Sequence, residues 1–233
     1  MMTDIFSSFD PASCNMFSSF SPSLFWLLTL TSISLIHPAF WLSQNQLSWL
    51  LNNPMSVMAN QSTRTFSVHL KGFSSLLTAL FIMLILINLM GLLPYMFSSS
   101  SHLILTLVLG LPLWLSFILS ALTHAPKSFV AHLLPSGAPE WLNPFLVITE
   151  TLSISVRFIT LSFRLAANMS AGHILLGLMG IAASSSIFLS SSSFIILIFI
   201  QMSYIIFEMG ICLIQAYIFC LLLTLYSEDH PSS

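Results

Sequence analysis

Residues 144–180 read PFLVITETLSISVRFITLSFRLAANMSAGHILLGLMG, an apolar stretch that nevertheless carries Glu150, Arg157 and Arg164. As one helix it would measure about 55 Å at ~1.5 Å per residue, against a hydrocarbon core near ~30 Å. A segment of that kind must be strongly tilted, lie partly along a membrane, or break. Arg164 is its most isolated charge, because the next formally charged residue along the chain is Glu208. A guanidinium cannot shed its proton. At a bilayer centre it costs roughly 2.5–3.5 kcal/mol on insertion scales. A chain with five basic residues that places one here uses it.

The rest of the chain has the same character. Its 233 residues are 56% hydrophobic and 5% charged, with a mean hydropathy of +0.96. A soluble domain carries about 25% charge, so this one reads as an all-α integral membrane protein. A net charge of −2 offers no basic patch for nucleic acid. Cys14, Cys212 and Cys220 are scattered and lack a CxxC pair, which argues against a disulfide framework or a metal site.

One membrane domain, 1–233, divides into three parts. In 1–64, the apolar run 22–42 is long enough for one crossing, and the amide-rich interval 44–64 reads as an interfacial segment beside Trp41 and Trp49. In 65–127, the uncharged stretch 72–126 accommodates a transmembrane hairpin that breaks near 94–102. In 140–226, beyond a Pro/Gly-rich break at 134–139, a serine patch at 184–193 separates 144–180 from a second over-long helix at 193–226. Two long tilted helices joined by a short turn are expected to pack antiparallel. Arg64, Lys71 and Lys127 fall on the cytoplasmic or matrix side by the positive-inside rule. The N-terminus, with Asp4 and Asp10 and no Lys or Arg, then lies opposite. It shows neither a secretory leader nor an Arg-rich transit pattern, so a mitochondrial home implies synthesis inside the organelle.

The charges of the two long segments are ordered. Glu150, Arg157 and Arg164 recur every seven residues, a step that drifts only about 20° around a helix, and Asn168 lies one turn on. On the last segment Gln201, Glu208 and Gln215 repeat at seven, Tyr204 lies beside them, and Asp229 continues the register. Such stripes either hold a bundle together or mark an ion path. Glu150 with Arg157 can equally be a simple neutralising pair. His173 stands nine residues from Arg164, about 180° around a regular helix, and so faces away unless Gly172 bends the chain. It is either a hydrogen-bonded structural residue or the partner of Glu208 in a proton relay. Ala166, Ala167, Ser170, Ala171 and Gly172 admit a close neighbour, from this chain or another subunit.

No nucleotide loop, dinucleotide fingerprint or HExxH motif is present, and no cofactor is expected. The run 163–175, FRLAANMSAGHIL, closely resembles the signature of subunit a of F-type ATP synthases. EMGICLIQAYIF at 208–219 is similar to that family's C-terminal segment, and NLMGLLP at 88–94 to its hairpin motif. His173 with Glu208 is like the mitochondrial version, whereas many bacterial members carry an acidic residue at the first position.

The resemblance implies a stator subunit lying against a ring of c subunits, beside other membrane and peripheral-stalk subunits, in the lipid bilayer of the mitochondrial inner membrane. Two offset half-channels would load and unload protons on ring carboxylates. By motif position Arg164 would face the ring, and His173 and Glu208 would belong to the inlet. Glu150 and Asp229 would lie toward the exit, with Asn168 and Gln215 as polar neighbours of the arginine. The N-terminus would face the intermembrane space and the C-terminus the matrix. No nucleotide binds this chain, so any enzymatic role is that of a component of the whole synthase. A stand-alone secondary transporter or channel is the alternative, but it predicts internal repeats that the sequence lacks. A purely structural subunit predicts that neutralising Arg164, Glu208 or His173 singly affects assembly alone.

Overall fold

A computed structural model describes residues 46–65, 70–93, 98–134, 140–188 and 190–228, together with Phe9, Ser23, Trp26 and Leu27. The expected first crossing at 22–42, the break at 135–139 and Asp229 lie outside the described residues, Trp26, Leu27 and Ser23 excepted. The described elements are six α-helices: α1 Gln46–Thr63, α2 Phe73–Leu92, α3 Leu103–His124, α4 Pro126–His132, α5 Asn143–Ser186 and α6 Ser191–Glu228. Four of these, α2, α3, α5 and α6, are long and apolar enough to cross a membrane.

The interfacial interval is a single helix, α1, whose hydroxyls turn back on its own carbonyls. Ser56 Oγ donates to Asn53 O, and Ser62 Oγ to Ala59 O, each at 2.8 Å. The hydroxyls of Ser62 and Ser74 meet at 2.9 Å and tie the end of α1 to the start of α2. Between the two helices the chain reverses at Gly72, whose φ of 80° lies in the left-handed region that a side chain disfavours. The hairpin of α2 and α3 falls where the uncharged stretch predicts it, with a 3-10 turn at Ser99–Ser101 in the connection. Pro126 then opens α4, a short helix that the hydropathy pattern did not announce. At a first helical position the missing N–H of proline is not needed.

The long segment does not break. α5 runs unbroken for 44 residues, about 66 Å at ~1.5 Å per residue, which leaves tilting or emergence as the ways to fit a bilayer. It also extends past the expected serine turn. Ser184, Ser185 and Ser186 are helical, and each hydroxyl is satisfied by the carbonyl three residues back, at 2.8–2.9 Å. α5 therefore ends at Ser186, and α6 begins at Ser191 rather than 193.

α5 and α6 pack antiparallel, as expected. Asn168 meets Gln215, Met169 meets Cys212, and Gly172 meets Glu208, so one index falls as the other rises. α3 also runs antiparallel to α5. Trp114 Nε1 donates to Ile154 O at 3.1 Å, and its ring lies 4.7 Å from that of Phe158. One level along, Gly110 abuts Ser162 so closely that a Cβ on Gly110 would lie 2.7 Å from Ser162 Oγ. The core joins α1, α2, α5 and α6 through Met58, Leu77, Phe81, Leu84, Leu161, Leu165, Phe219 and Leu223.

Gly110→Val should therefore force α3 off α5 and cost about 1–3 kcal/mol, read as a lower thermal midpoint in detergent. Gly180→Ala, where nothing lies within 4 Å of an added Cβ, should leave that midpoint unchanged or slightly raised.

Candidate functional site

The polar residues of α5 and α6 gather at three levels along the pair. At the first, Arg157 Nη2 lies 3.7 Å from Glu150 Oε1, with both side chains partly exposed. The guanidinium carbon of Arg157 also stands 5.5 Å from the centre of the Tyr226 ring, a cation–π contact that reaches α6. The neutralising pair proposed for Glu150 and Arg157 is thus formed. A cavity of about 130 Å³ opens beside it, bounded by Trp114, Phe117, Ile154, Arg157 and Tyr226.

At the middle level Asn168 Nδ2 donates to Gln215 Oε1 at 2.9 Å, a side-chain bond directly across the α5–α6 seam. Gln215 is buried, and its Nε2 finds no protein acceptor among the described residues. Arg164 lies one turn before Asn168. It is exposed, and no hydrogen bond or ion pair joins it to any described residue. Arg157 and Arg164 share a helix face and differ in this respect: one cation has its counter-ion in the chain and the other does not.

The third level is built around Glu208, which is only 2% exposed. Tyr204 Oη, one turn earlier on α6, donates to Glu208 Oε1 at 2.5 Å. The carboxylate presses against Gly172 of α5, where an added Cβ would lie 2.6 Å from Cδ and Oε1 and 2.7 Å from Oε2. Gly172 thus makes room for the acid without breaking α5. The helix continues through His173, nine residues beyond Arg164. That histidine is half-buried, its ring set edge-on to Phe9 at 6.3 Å. Glu208 Oε2 and His173 Nε2 are both buried without a protein hydrogen-bond partner among the described residues.

Asn88 belongs with these groups, although the sequence marked it only as part of a motif. It is 0% exposed, and neither amide atom has a protein partner among the described residues. Its neighbour on the same face of α2, Gly91, packs close to Met169 of α5 and Ser98 of the hairpin connection. A lone amide in the otherwise apolar α2 was the available signal. Buried polar atoms of this kind are the positions that internal water satisfies. Among the described residues no cluster of His, Cys, Asp and Glu could hold a metal ion.

Residues 17–228 match the family model described as ATP synthase A chain. The chain belongs to that family. It is 40% identical to ATP synthase subunit a of Locusta migratoria over 231 residues, covering 98% of this chain and 99% of the relative. ATP synthase F(0) complex subunit a of Rhopalosiphum padi is 36% identical over 230 residues, with 98% and 100% covered. ATP synthase subunit a of Drosophila melanogaster is 38% identical over 234 residues, with 98% and 99% covered. Membership in the A chain family, together with four apolar helices, makes the protein a multi-pass membrane subunit of an ATP synthase. Its setting is ATP synthesis and proton transport.

Gly172→Ala should displace the Glu208 carboxylate and lower the thermal midpoint of the purified complex by an overpacking cost of about 1–3 kcal/mol. Adding Glu208→Asp, which withdraws the carboxylate by one methylene, should recover part of that loss. If the two changes are simply additive, the close approach is not what limits the site.

Proposed function

We propose that this chain is the proton-translocating stator subunit of the synthase's membrane sector. It offers two offset half-channels that load and unload the carboxylates of a rotating c-ring. The observation that carries the reading is Arg164: an exposed cation in an apolar helix, with no partner among the described residues of its own chain. A group so costly in lipid calls for an anion brought by a neighbour. A ring carboxylate passing this face supplies one.

The distribution of the other polar groups supports two separate paths. Arg164 lies roughly 21 Å along α5 from Glu150 and roughly 13 Å from His173, at ~1.5 Å per residue. His173 and Glu208 form the inlet on one side of it, and Glu150 with Asp229 lead to the exit on the other. Asn168 and Gln215 act as polar neighbours of the arginine. Between the two ends stand Leu161, Leu165, Phe219 and Leu223, each no more than 2% exposed. This apolar plug denies a proton a direct route from one half-channel to the other.

A fixed guanidinium favours the ionised form of a carboxylate beside it. A ring acid that reaches Arg164 therefore gives up its proton to the exit path and leaves the arginine only after being reloaded at the inlet. The same positive charge repels a hydronium that would slip between the paths. The chain works in the mitochondrial inner membrane with its N-terminus toward the intermembrane space and its C-terminus toward the matrix. Other membrane and peripheral-stalk subunits hold it still against the ring.

Arg164→Ala should abolish proton-driven ATP synthesis while the complex still assembles, as seen by native gel and by synthesis in energised vesicles. Full coupled synthesis in that variant would overturn the reading. Transport by the purified chain without any ring would favour a stand-alone transporter instead.

A further inference from the structure

After Ser193, α6 has polar side chains before Glu208 only at Gln201, Ser203 and Tyr204. Ser203 Oγ turns back on Ile200 O at 2.8 Å and is satisfied within its own helix. Gln201 and Tyr204 remain, and both lie on the Glu208 side of the helix, at seven and four residues before it. The run from Gln201 to Glu208 covers about 10 Å along the axis. It leads from partly exposed residues, nearer the α5–α6 turn, to a carboxylate that is 2% exposed.

We propose that Tyr204 is the positioning residue of Glu208 and the hydroxyl through which that carboxylate receives its proton. The inference rests on the reading of Glu208 as a proton carrier. Its geometry is specific. The phenol donates to Oε1 at 2.5 Å, a length typical of a charge-assisted O–H···O bond. Gly172 of α5 packs against the same carboxylate, so the group touches both a hydroxyl and a backbone without a side chain. Oε2 is left buried with no protein partner among the described residues. One oxygen is thus held while the other stays open to pass a proton inward.

A phenol can accept a hydrogen bond while donating one. A hydrated proton approaching from the turn side bonds to the free lone pair of Tyr204 Oη. The existing O–H bond breaks and its hydrogen moves to Glu208 Oε1, while a new O–H bond forms from the incoming proton. The net change converts hydronium to water and the carboxylate to a carboxylic acid. Tyr204 ends neutral, and once the acid has passed its proton inward, rotation of the phenol hydroxyl back toward Oε1 restores the starting arrangement.

The test uses the assembled synthase in inner-membrane vesicles, with Tyr204→Phe, Tyr204→Leu and Glu208→Gln prepared in parallel. Tyr204→Phe keeps the ring and its 6.3 Å contact with Phe207 and removes only the hydroxyl. It should assemble at parental levels yet lower proton-driven synthesis about tenfold, the rate equivalent of one hydrogen bond to a charged group. The proton-motive force needed for half-maximal synthesis should rise, and the infrared carboxylate band that Glu208→Gln eliminates should shift. Tyr204→Leu should be equally slow, and Tyr204→Phe combined with Glu208→Gln no slower than Glu208→Gln alone. Parental rate, force dependence and band position in Tyr204→Phe would overturn the proposal, as would a loss confined to Tyr204→Leu, since that assigns the effect to the ring. Parental synthesis in Glu208→Gln would instead overturn the reading of Glu208 beneath it.

Discussion

The seam between α5 and α6 is the constraint on which the molecule depends. Two helices of 44 and 38 residues run antiparallel, and the polar groups that lipid would not tolerate are turned toward that seam or its margins. Small side chains make this possible. Ala216 and Gly172 are buried where the helices touch, and the Asn168–Gln215 bond crosses at 2.9 Å because nothing bulkier separates the backbones. In a medium without water a side-chain amide pair of this kind fixes register as well as adding stability. Once the register is set, Glu208 must fall on Gly172 and Tyr226 beside Arg157.

The same register sorts the charges. Three ionisable residues at heptad spacing on α5 meet different surroundings at successive levels of the seam. Glu150 and Arg157 find each other and the ring of Tyr226. Arg164 meets Leu161 and Leu165 on one side and open surface on the other. The polar groups are therefore not one continuous wire. They lie at three levels, with Leu161, Leu165, Phe219 and Leu223 between the first and the middle one, and of the two arginines of α5 only Arg164 lacks a counter-ion among the described residues.

Much of this was legible from residues alone. The hairpin at 72–126 and the antiparallel long pair followed from apolar run lengths measured against a bilayer. The family was legible from FRLAANMSAGHIL and the two shorter motifs around it. Local hydrogen bonding was harder to read. Serines 184–186 pointed to a turn, yet each bonds its own helix and the turn moved outward. α4 was missed because a seven-residue helix leaves no periodic signal. Asn88 passed as part of a motif, since burial from all sides is invisible in a string of letters.

The sequence by itself determined that the chain lives in a membrane, that Glu150, Arg157, Arg164 and Glu208 lie on polar stripes of two long helices, and that Arg164 is out of place there unless used. These follow from composition and from the helical repeat, which any local stretch obeys regardless of its neighbours. Tertiary structure alone decided which arginine is neutralised and which is not. It also decided that Gly172 admits the Glu208 carboxylate and that Tyr204 donates to it. Those outcomes depend on the relative register of two helices, a sum over many distant contacts that no local pattern encodes.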